Sequence, residues 1–246
     1  MTGTVSAASG TRMHRLRRQL GAIPLLGPGL KSLFKTGSPF PSFRSSPSYW
    51  EERYRQGGNS GVGSYGQLAR FKAQTINRFV AEQKIGSVVE FGCGDGAQLA
   101  LAEYPHYTGF DVSPRVVSLC RRKFAGDPNK QFHDLSGIEC DTVKADMAMS
   151  LDVIYHLVED SIYDLYMERL AKAGERFLCI YSSNASLPGH VPHIRHRCFT
   201  DWIEANAPEW TLIQKVRNAH PHDPANPDET SWADFYFFAR SGNAPG

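Results

Sequence analysis

A glycine-rich turn constrains the fold of this chain most strongly. The segment Glu90-Phe91-Gly92-Cys93-Gly94-Asp95-Gly96 begins inside a short apolar run and precedes a helical pattern. Glycine is needed where a backbone turns sharply and a ligand approaches it closely, because no Cβ obstructs the approach. Asp111 follows Gly92 by 19 residues, at the end of a second apolar run. An acid at about this spacing accepts hydrogen bonds from ribose hydroxyls, so the pattern predicts a fold that binds an adenosine-type ligand.

Predicted strands and helices alternate along most of the chain, which indicates a doubly wound, Rossmann-like α/β sheet that is mostly parallel. The last two strands have no helical pattern between them, which predicts an antiparallel C-terminal hairpin. Ser113 and Pro114 open one helix as cap and first residue, and Ser161 and Asp164 have capping-box spacing in another. The seven strands are predicted at 87–91, 107–112, 130–135, 146–152, 177–181, 210–216 and 231–239, and the helices at 67–84, 97–103, 114–124, 161–172 and 199–206.

Composition sets the class of protein and its surroundings. The 246 residues are 41% hydrophobic, which is enough to bury the core of one α/β domain and excludes a disordered or collagenous chain. No apolar run reaches the length of about 18 residues that a membrane helix needs. The five cysteines form no CxxC pair, so we expect a cytoplasmic protein without disulfides.

Residues 1–47 differ from the rest of the chain. Residues 1–50 contain seven Lys and Arg and no acid, so the remaining residues carry a net charge of −5 against +2 for the whole. We interpret residues 1–47 as a flexible basic extension; weak contact with an anionic membrane surface and a transit peptide are the alternatives. Residues 48–246 then form a single domain, in which residues 48–84 are a loop and helix that cover the cofactor site.

The charges around the glycine turn restrict the chemical class of the ligand. Gly92, Gly94 and Ala97 also satisfy the dinucleotide fingerprint GxGxxA. A pyrophosphate is anionic, however, and Glu90 and Asp95 place two carboxylates beside the turn. These carboxylates favour a ligand with a cationic end, such as the sulfonium and ammonium of S-adenosylmethionine.

Three motifs, EFGCGDG, GFDVS and SLDVIYHL, resemble those of the class I S-adenosylmethionine-dependent methyltransferases over about residues 83–183. The resemblance implies a methyltransferase with this cofactor. It places the methionine portion on the glycine turn, the ribose on Asp111 and the adenine between the segments that follow strands two and three. The implied cofactor-binding residues are Glu90, Gly92, Cys93, Gly94, Asp95, Gly96, Asp111, Val112, Ser113, Asp134 and Leu135.

The segment YWEERYRQGGNSGVGSYG is similar to a narrower group, the bacterial methyltransferases that modify carbohydrates and polysaccharides. This likeness implies that the Gly-rich segment, residues 57–66, closes over the cofactor with Tyr65 and Gly66 near it. It also implies that the methyl acceptor is a hydroxyl of a sugar or glycan.

Residues after the fourth strand are expected to face the transferred methyl, because ligands bind beyond the carboxyl ends of parallel strands. If the chain turns helical after Asp152, then Asp152, His156 and Asp160 share one helix face. His156 is the candidate general base, since its ordinary pKa of about 6.5 allows it to be neutral near pH 7, and Asp152 orients it. Alternatively, Asp152 and Asp160 bind Mg²⁺ together with the acceptor.

A second polar cluster follows the fifth strand. Asn184, His193, Arg195 and His196, together with Tyr155, are predicted to contact the acceptor, because loops at strand ends carry substrate contacts. A zinc site at His190, His193 and His196 is a weaker alternative, since the usual helical ligand pair is missing.

The expected partner is a small-molecule or glycan acceptor, and no stable nucleic-acid partner is expected because the body is acidic. Four other interpretations stay open: an O- or N-methyltransferase for another small molecule, a nucleic-acid methyltransferase that uses the basic tail, a non-catalytic cofactor binder, and a nicotinamide dehydrogenase. The oligomeric state is not predicted.

Overall fold

The computed structural model describes residues 42–137, 139–186 and 191–242. Most of the predicted extension, residues 1–41, lies outside the described residues, as does His190. The described part contains one seven-stranded sheet of order β3-β2-β1-β4-β5-β7-β6. The strands are β1 (Ser87–Phe91), β2 (His106–Asp111), β3 (Lys130–Asp134), β4 (Ala145–Leu151), β5 (Gly174–Ser182), β6 (Trp210–Val216) and β7 (Asp234–Arg240).

The sheet confirms the predicted class. Strands β1 to β5 pair in parallel, and β7 is antiparallel to both of its neighbours, β5 and β6. The chain runs outward from β1 through β2 to β3 and then returns to place β4 on the other side of β1. This reversal leaves a crevice at the carboxyl ends of β1 and β4, where open α/β sheets bind ligands.

Helices cover both faces of the sheet and bury its alternating side chains. Val88 of β1 packs in the core with α2 and α3, whereas Val89 packs on the opposite face with α5 and α6. Burial on two faces explains why the central strands β1, β4 and β5 consist mostly of buried residues. The helices are α1 (Ser46–Arg55), α2 (Gly66–Glu82), α3 (Pro114–Lys123), α4 (Glu139–Thr142), α5 (Asp160–Ala173) and α6 (Phe199–Asn206).

Helix α1 was not predicted, and it begins two residues before the predicted domain boundary. Ser45 caps it in a capping box: the Ser45 hydroxyl accepts a hydrogen bond from the Ser48 amide, and the Ser48 hydroxyl accepts one from the Ser45 amide. Pro47 lies in the first turn. Ser46 is buried against the domain: its amide and hydroxyl donate to the Glu159 carboxylate at 2.9 and 2.5 Å. Residues 45–47 are therefore part of the folded domain.

Two local predictions were wrong. The predicted helix 97–103 is only a 3₁₀ turn at Leu99–Leu101, because the segment between Gly96 and Pro105 is too short for a stable α-helix. The predicted capping box of α5 does not form, since the helix begins earlier, after Glu159, with no side-chain cap. Asp164 instead accepts a hydrogen bond from the indole of Trp202 at 3.0 Å.

Candidate functional site

A cavity of about 470 Å³ lies in the crevice beyond the carboxyl ends of β1, β2 and β4. Helix α1 and the Gly-rich segment supply one side of its wall, and α5 supplies another. Its wall includes Trp50, Tyr54, Ser60, Lys72, Glu90, Gly92, Cys93, Gly94, Gln98, Asp111, Val112, Leu135, Asp152, Val153, His156, Leu157, Ile162 and Leu165.

The predicted glycine turn forms the floor of this cavity. Gly92 and Gly94 adopt φ of +88° and +58°, in the left-handed region that favours glycine. A Cβ on Gly92 would lie 2.4 Å from Val153, and one on Gly94 would lie 2.3 Å from the Ser60 hydroxyl. The two glycines thus permit close packing of the turn against the β4 loop and the Gly-rich segment.

Asp111 ends β2 with its carboxylate buried beside the turn. One oxygen accepts from the Gly94 amide at 2.9 Å and the other accepts from the Ser113 amide at 3.0 Å. Burial raises the pKa of Asp111 to about 6, and these amides oppose the rise. A carboxylate oxygen accepts more than one hydrogen bond, so Asp111 retains capacity for ligand hydroxyls.

Glu90 is a second buried acid in the wall. The Tyr107 hydroxyl donates to it at 2.5 Å. Burial raises the pKa of Glu90 to about 7, although the Tyr107 hydrogen bond and the Lys72 charge lower it. A buried acid with so high a pKa gains strongly from a cationic ligand. Nearby, Gln98 Oε1 is buried and accepts no hydrogen bond from any described residue, so the wall also holds an unused acceptor.

These features fit the predicted cofactor. One cavity contains all the groups that this cofactor needs. Asp111 can accept hydrogen bonds from hydroxyls, Glu90 is a buried acid for an ammonium, and Val112 and Leu135 offer apolar side chains to a base. Cys93 is also in the wall. Together they match the ribose, ammonium and adenine of S-adenosylmethionine in chemical character.

Other predicted cofactor residues support the wall from behind. Asp95 accepts from the Tyr65 hydroxyl at 2.6 Å and from the Ser60 amide at 3.0 Å, which clamps the Gly-rich segment onto the glycine turn. Burial alone would raise the pKa of Asp95, but its hydrogen bonds from Tyr65, Ser60 and Ala97 hold it below the ordinary value. Gly66 begins α2 and Gly96, at φ +69°, packs against Phe124. None of Asp95, Tyr65, Gly66 and Gly96 is a wall residue.

Ser113 and Asp134 have local roles. Ser113 is fully buried and caps α3, as predicted, by accepting from the Val116 amide. Asp134 is outside the wall, and Ser136 supplies its hydrogen bonds, including an amide at 3.0 Å. The neighbouring Leu135 amide donates to the Asp111 carbonyl at 3.1 Å, which holds Leu135 in the wall.

The predicted helix after Asp152 does not form. Asp152 adopts φ of +60°, which ends β4 abruptly, and only a 3₁₀ turn, Ile154–His156, follows. Asp160 consequently lies away from Asp152 and is 68% exposed, paired with Arg195 at 2.9 Å and Arg197 at 2.7 Å. The prediction that Asp152, His156 and Asp160 share one face is therefore wrong.

The same geometry separates the proposed metal ligands. Asp152 Oδ2 accepts from the buried Lys72 ammonium at 2.6 Å, and Oδ1 accepts from the Tyr155 hydroxyl at 2.8 Å. Asp160 is held by its two arginines. Within the described ranges, no three His, Cys, Asp or Glu side chains gather as metal ligands. A shared Mg²⁺ site at Asp152 and Asp160 is incompatible with these contacts.

His156 lies in the cavity wall, packed edge-on against Trp50 with ring centroids 4.9 Å apart. Its Nδ1 is 3.1 Å from the His193 carbonyl oxygen. A carbonyl can only accept, so Nδ1 carries the hydrogen and Nε2 carries the lone pair. Burial lowers the pKa of His156 to about 4, well below the value of 6.5 used in the prediction. The ring is therefore neutral throughout the physiological pH range.

The polar cluster after β5 is not in the wall. The His193 ring stacks on the Tyr49 ring with centroids 4.3 Å apart. His196 Nδ1 lies 2.7 Å from the Ser183 hydroxyl, and the Asn184 side-chain amide donates to the Thr200 hydroxyl at 2.9 Å. Arg195 pairs with Asp160. These residues, predicted to contact the acceptor, instead contact α1, α6 and Ser183, the residue that follows β5. Tyr155 likewise lies behind the wall, bonded to Asp152.

Sequence reasoning missed two groups of wall residues. Trp50 and Tyr54 come from α1, whose signal was the Ser45 cap followed by Pro47. Lys72 sits on the apolar stripe of α2, four residues from both Leu68 and Ile76. A lysine at a buried position of a helix indicates a buried anion partner, and this signal could have linked Lys72 to an acid.

The fold and the cavity are those of open α/β proteins, which bind their ligands beyond the carboxyl ends of the strands. Residues 65–220 match a family model described as a methyltransferase domain. Because the match covers more than half of the 246 residues, the chain belongs to this methyltransferase family.

Known proteins similar to the chain are methyltransferases as well. Over 91 residues it is 30% identical to EEF1A lysine methyltransferase 4 of Mus musculus, a match to 35% of this chain and 34% of that protein. The chain thus matches about a third of that relative's length. The structure is similar to N-methyltransferase NodS from Bradyrhizobium japonicum with S-adenosyl-L-homocysteine (TM-score 0.59, 15% identity, 80% of this chain and 99% of that one).

It is also similar to magnesium protoporphyrin IX methyltransferase from Synechocystis with bound SAH (TM-score 0.58, 15% identity, 79% of this chain and 98% of that one). Structural likeness at this identity shows the fold alone. No helix among residues 42–137, 139–186 and 191–242 has the length and hydropathy to cross a membrane.

Proposed function

We propose that this methyltransferase uses S-adenosylmethionine to methylate a hydroxyl of a small acceptor, most specifically a sugar or glycan hydroxyl. The sulfonium of the cofactor supplies an activated methyl group. Asp111 holds the ribose, Glu90 holds the ammonium, and Val112 and Leu135 contact the adenine. His156 accepts the proton that the acceptor oxygen loses.

One observation carries the choice of base: the hydrogen bond from His156 Nδ1 to the His193 carbonyl at 3.1 Å. This bond fixes the tautomer with the lone pair on Nε2, in a side chain that lines the cofactor cavity. A neutral imidazole in the wall of a methyl-transfer cavity is positioned to accept a proton.

The low pKa of His156 is compatible with a hydroxyl acceptor. Methylation of a hydroxyl gives a protonated ether, a far stronger acid than imidazolium, so even a base with a pKa of about 4 accepts its proton as the bond forms. A protonated amine has a pKa near that of lysine, about 10.4, and would keep its proton against His156.

The acceptor class rests on the wall beside His156. The indole of Trp50 lies next to the imidazole, and aromatic rings offer an apolar surface to the C–H face of a sugar. A second candidate is an aromatic hydroxyl, favoured by the apolar side chains of Leu157, Ile162 and Leu165 in the same wall.

Divalent metal assistance is not part of the proposal. Both oxygens of Asp152 are already engaged, by Lys72 and by Tyr155. A Mg²⁺ ion at Asp152 would have to displace a buried ammonium, which would leave an unpaired charge in the interior.

His156→Asn tests the proposal, since the asparagine amide can still donate to the His193 carbonyl. With labelled S-adenosylmethionine and a panel of sugars and phenols, we expect turnover to fall by about 10²–10⁴-fold. Affinity for S-adenosylhomocysteine, measured by calorimetry, should stay within about threefold, because no cofactor contact is assigned to His156.

His222→Asn is the matched control, because His222 stacks on the exposed Trp232 and is outside the cavity wall. This variant should retain full turnover. Full turnover in His156→Asn would remove His156 as the base, and transfer to amines alone would exclude a hydroxyl acceptor.

Two partner predictions remain proposals. We propose that the protein forms no stable nucleic-acid complex and that residues 1–47 make weak contact with an anionic membrane surface. Gel-shift and vesicle-sedimentation assays with the full chain, at low and physiological salt, test both.

A further inference from the structure

Lys72 is an unusual residue for a helix that packs on a sheet. Its side chain is only 1% exposed, yet it carries an amine into the wall of the cofactor cavity. It sits 5.3 Å from the centroid of the Tyr181 ring and 2.6 Å from Asp152 Oδ2. A buried ammonium persists only where a partner anion compensates for its lost hydration.

Asp152 joins three segments of the cavity wall through one carboxylate. Lys72 of α2 donates to Oδ2, and Tyr155 of the 3₁₀ turn donates to Oδ1 at 2.8 Å. The Gly-rich segment also packs there, since a Cβ on Gly63 would lie 2.8 Å from Oδ2. The carboxylate therefore links α2 to the turn by two hydrogen bonds, and the Gly-rich segment lies directly against it.

The backbone at Asp152 needs this support. Its φ of +60° is an uncommon conformation for a residue with a side chain, although Asp tolerates it better than most. Such conformations persist where surrounding contacts determine them. The turn that starts here carries Tyr155, whose ring lies 4.6 Å from that of His156.

We propose that Lys72 is a positioning residue for methyl transfer: through Asp152 and Tyr155, it fixes the turn that presents His156 to the cavity. The contacts run from the Lys72 ammonium to the Asp152 carboxylate, then to the Tyr155 hydroxyl, and from the Tyr155 ring to the His156 ring. Its catalytic meaning rests on the proposed function, in which His156 is the base.

The test reads out His156 directly and needs no acceptor. In ¹⁵N-histidine-labelled wild-type protein, His156 should give one neutral tautomer with its hydrogen on Nδ1, assigned by its loss in His156→Asn. Lys72→Met, which keeps a similar volume, should give a mixture of tautomers because the turn is no longer fixed. Asp152→Asn should give the same mixture, and it guards against misfolding because Asn also tolerates positive φ.

Binding and turnover distinguish positioning from direct contact with the cofactor. In Lys72→Met, the Kd of S-adenosylhomocysteine should change less than about fivefold, and kcat with a panel acceptor should fall at least about tenfold. Lys72→Arg should recover part of the kcat. Lys215→Met, which removes an exposed ion pair to Asp234, is the control and should change neither quantity.

A single unchanged His156 tautomer in folded Lys72→Met and Asp152→Asn would overturn the proposal. A Kd loss above about 100-fold with unchanged His156 signals would instead identify Lys72 as a cofactor ligand and overturn it equally. Failure of the proposed function appears elsewhere, as normal turnover in His156→Asn, and leaves the tautomer result intact.

Discussion

Replacement of Glu90 by Gln should stabilise the ligand-free protein while weakening its hold on the cofactor. Burial raises the pKa of Glu90 to about 7 from its ordinary value of 4.5. Below pH 4.5 the folded and unfolded states both hold the proton. Between pH 4.5 and 7 the unfolded state ionises first, so the folded state loses stability as the pH rises.

The size of this effect follows from the two pKa values. Their difference corresponds to about 3 kcal/mol of lost stability at pH 8 and less than about 1 kcal/mol at pH 5. Gln cannot ionise, and its side-chain oxygen can still accept from Tyr107. Glu90→Gln should therefore be more stable than wild type by about 3 kcal/mol at pH 8, with most of the gain gone at pH 5.

Urea unfolding of both proteins at the two pH values measures the gain, and calorimetry with S-adenosylmethionine measures the loss. Without the charge-assisted contact to the ammonium, binding at pH 8 should weaken by about 1.5–3 kcal/mol. A stability difference independent of pH would refute the argument from burial. Greater stability with undiminished affinity would show that Glu90 does not contact the cofactor.

Three further outcomes are expected. Asp111→Asn should weaken S-adenosylhomocysteine binding by about 1.5–3 kcal/mol in calorimetry, and unchanged affinity in the folded variant would remove Asp111 from the ribose site. Ser46→Ala should lower the free energy of unfolding by about 1–3 kcal/mol, because the Glu159 carboxylate and the Val158 amide both lose the Ser46 hydroxyl; equal urea midpoints would show that this end of α1 contributes nothing. With a hydroxyl acceptor and saturating S-adenosylmethionine, the wild-type kcat should be flat from about pH 6 to 9 and unchanged by EDTA, since His156 stays neutral above its pKa of about 4; a rise of kcat through pH 6.5 or inhibition by EDTA would contradict this account.

The sheet and the cofactor side of the cavity were predictable because their signals are local. Apolar runs predicted the strands, and the spacing from Gly92 to Asp111 predicted a ligand site with Asp111 in it. Glycine turns of this kind depend on backbone conformation, and Gly92 and Gly94 do adopt positive φ. A few consecutive residues are therefore enough to predict the glycine turn.

The transfer side was harder to predict because it is made by contacts between distant segments. The spacing of Asp152, His156 and Asp160 suited a helix. Asp152 instead pairs with Lys72, 80 residues away, and its backbone has a positive φ that no right-handed helix contains. The pKa of His156 depends on burial beneath α1, and nothing near His156 in the sequence reports that burial. Local periodicity does not encode either effect.

The position of β7 between β5 and β6 has a consequence for biosynthesis. Among the residues that the structure describes, strand β6 pairs with β7 alone, although β6 is made first. While the chain leaves the ribosome, β6 has no partner, and the edge of β5 stays uncovered until residues as far as Arg240 have emerged. An uncovered strand edge of this kind can pair with other chains, so the nascent protein is exposed to aggregation during this interval. Slower translation between β6 and β7 should therefore reduce the soluble yield without changing the stability of the finished protein.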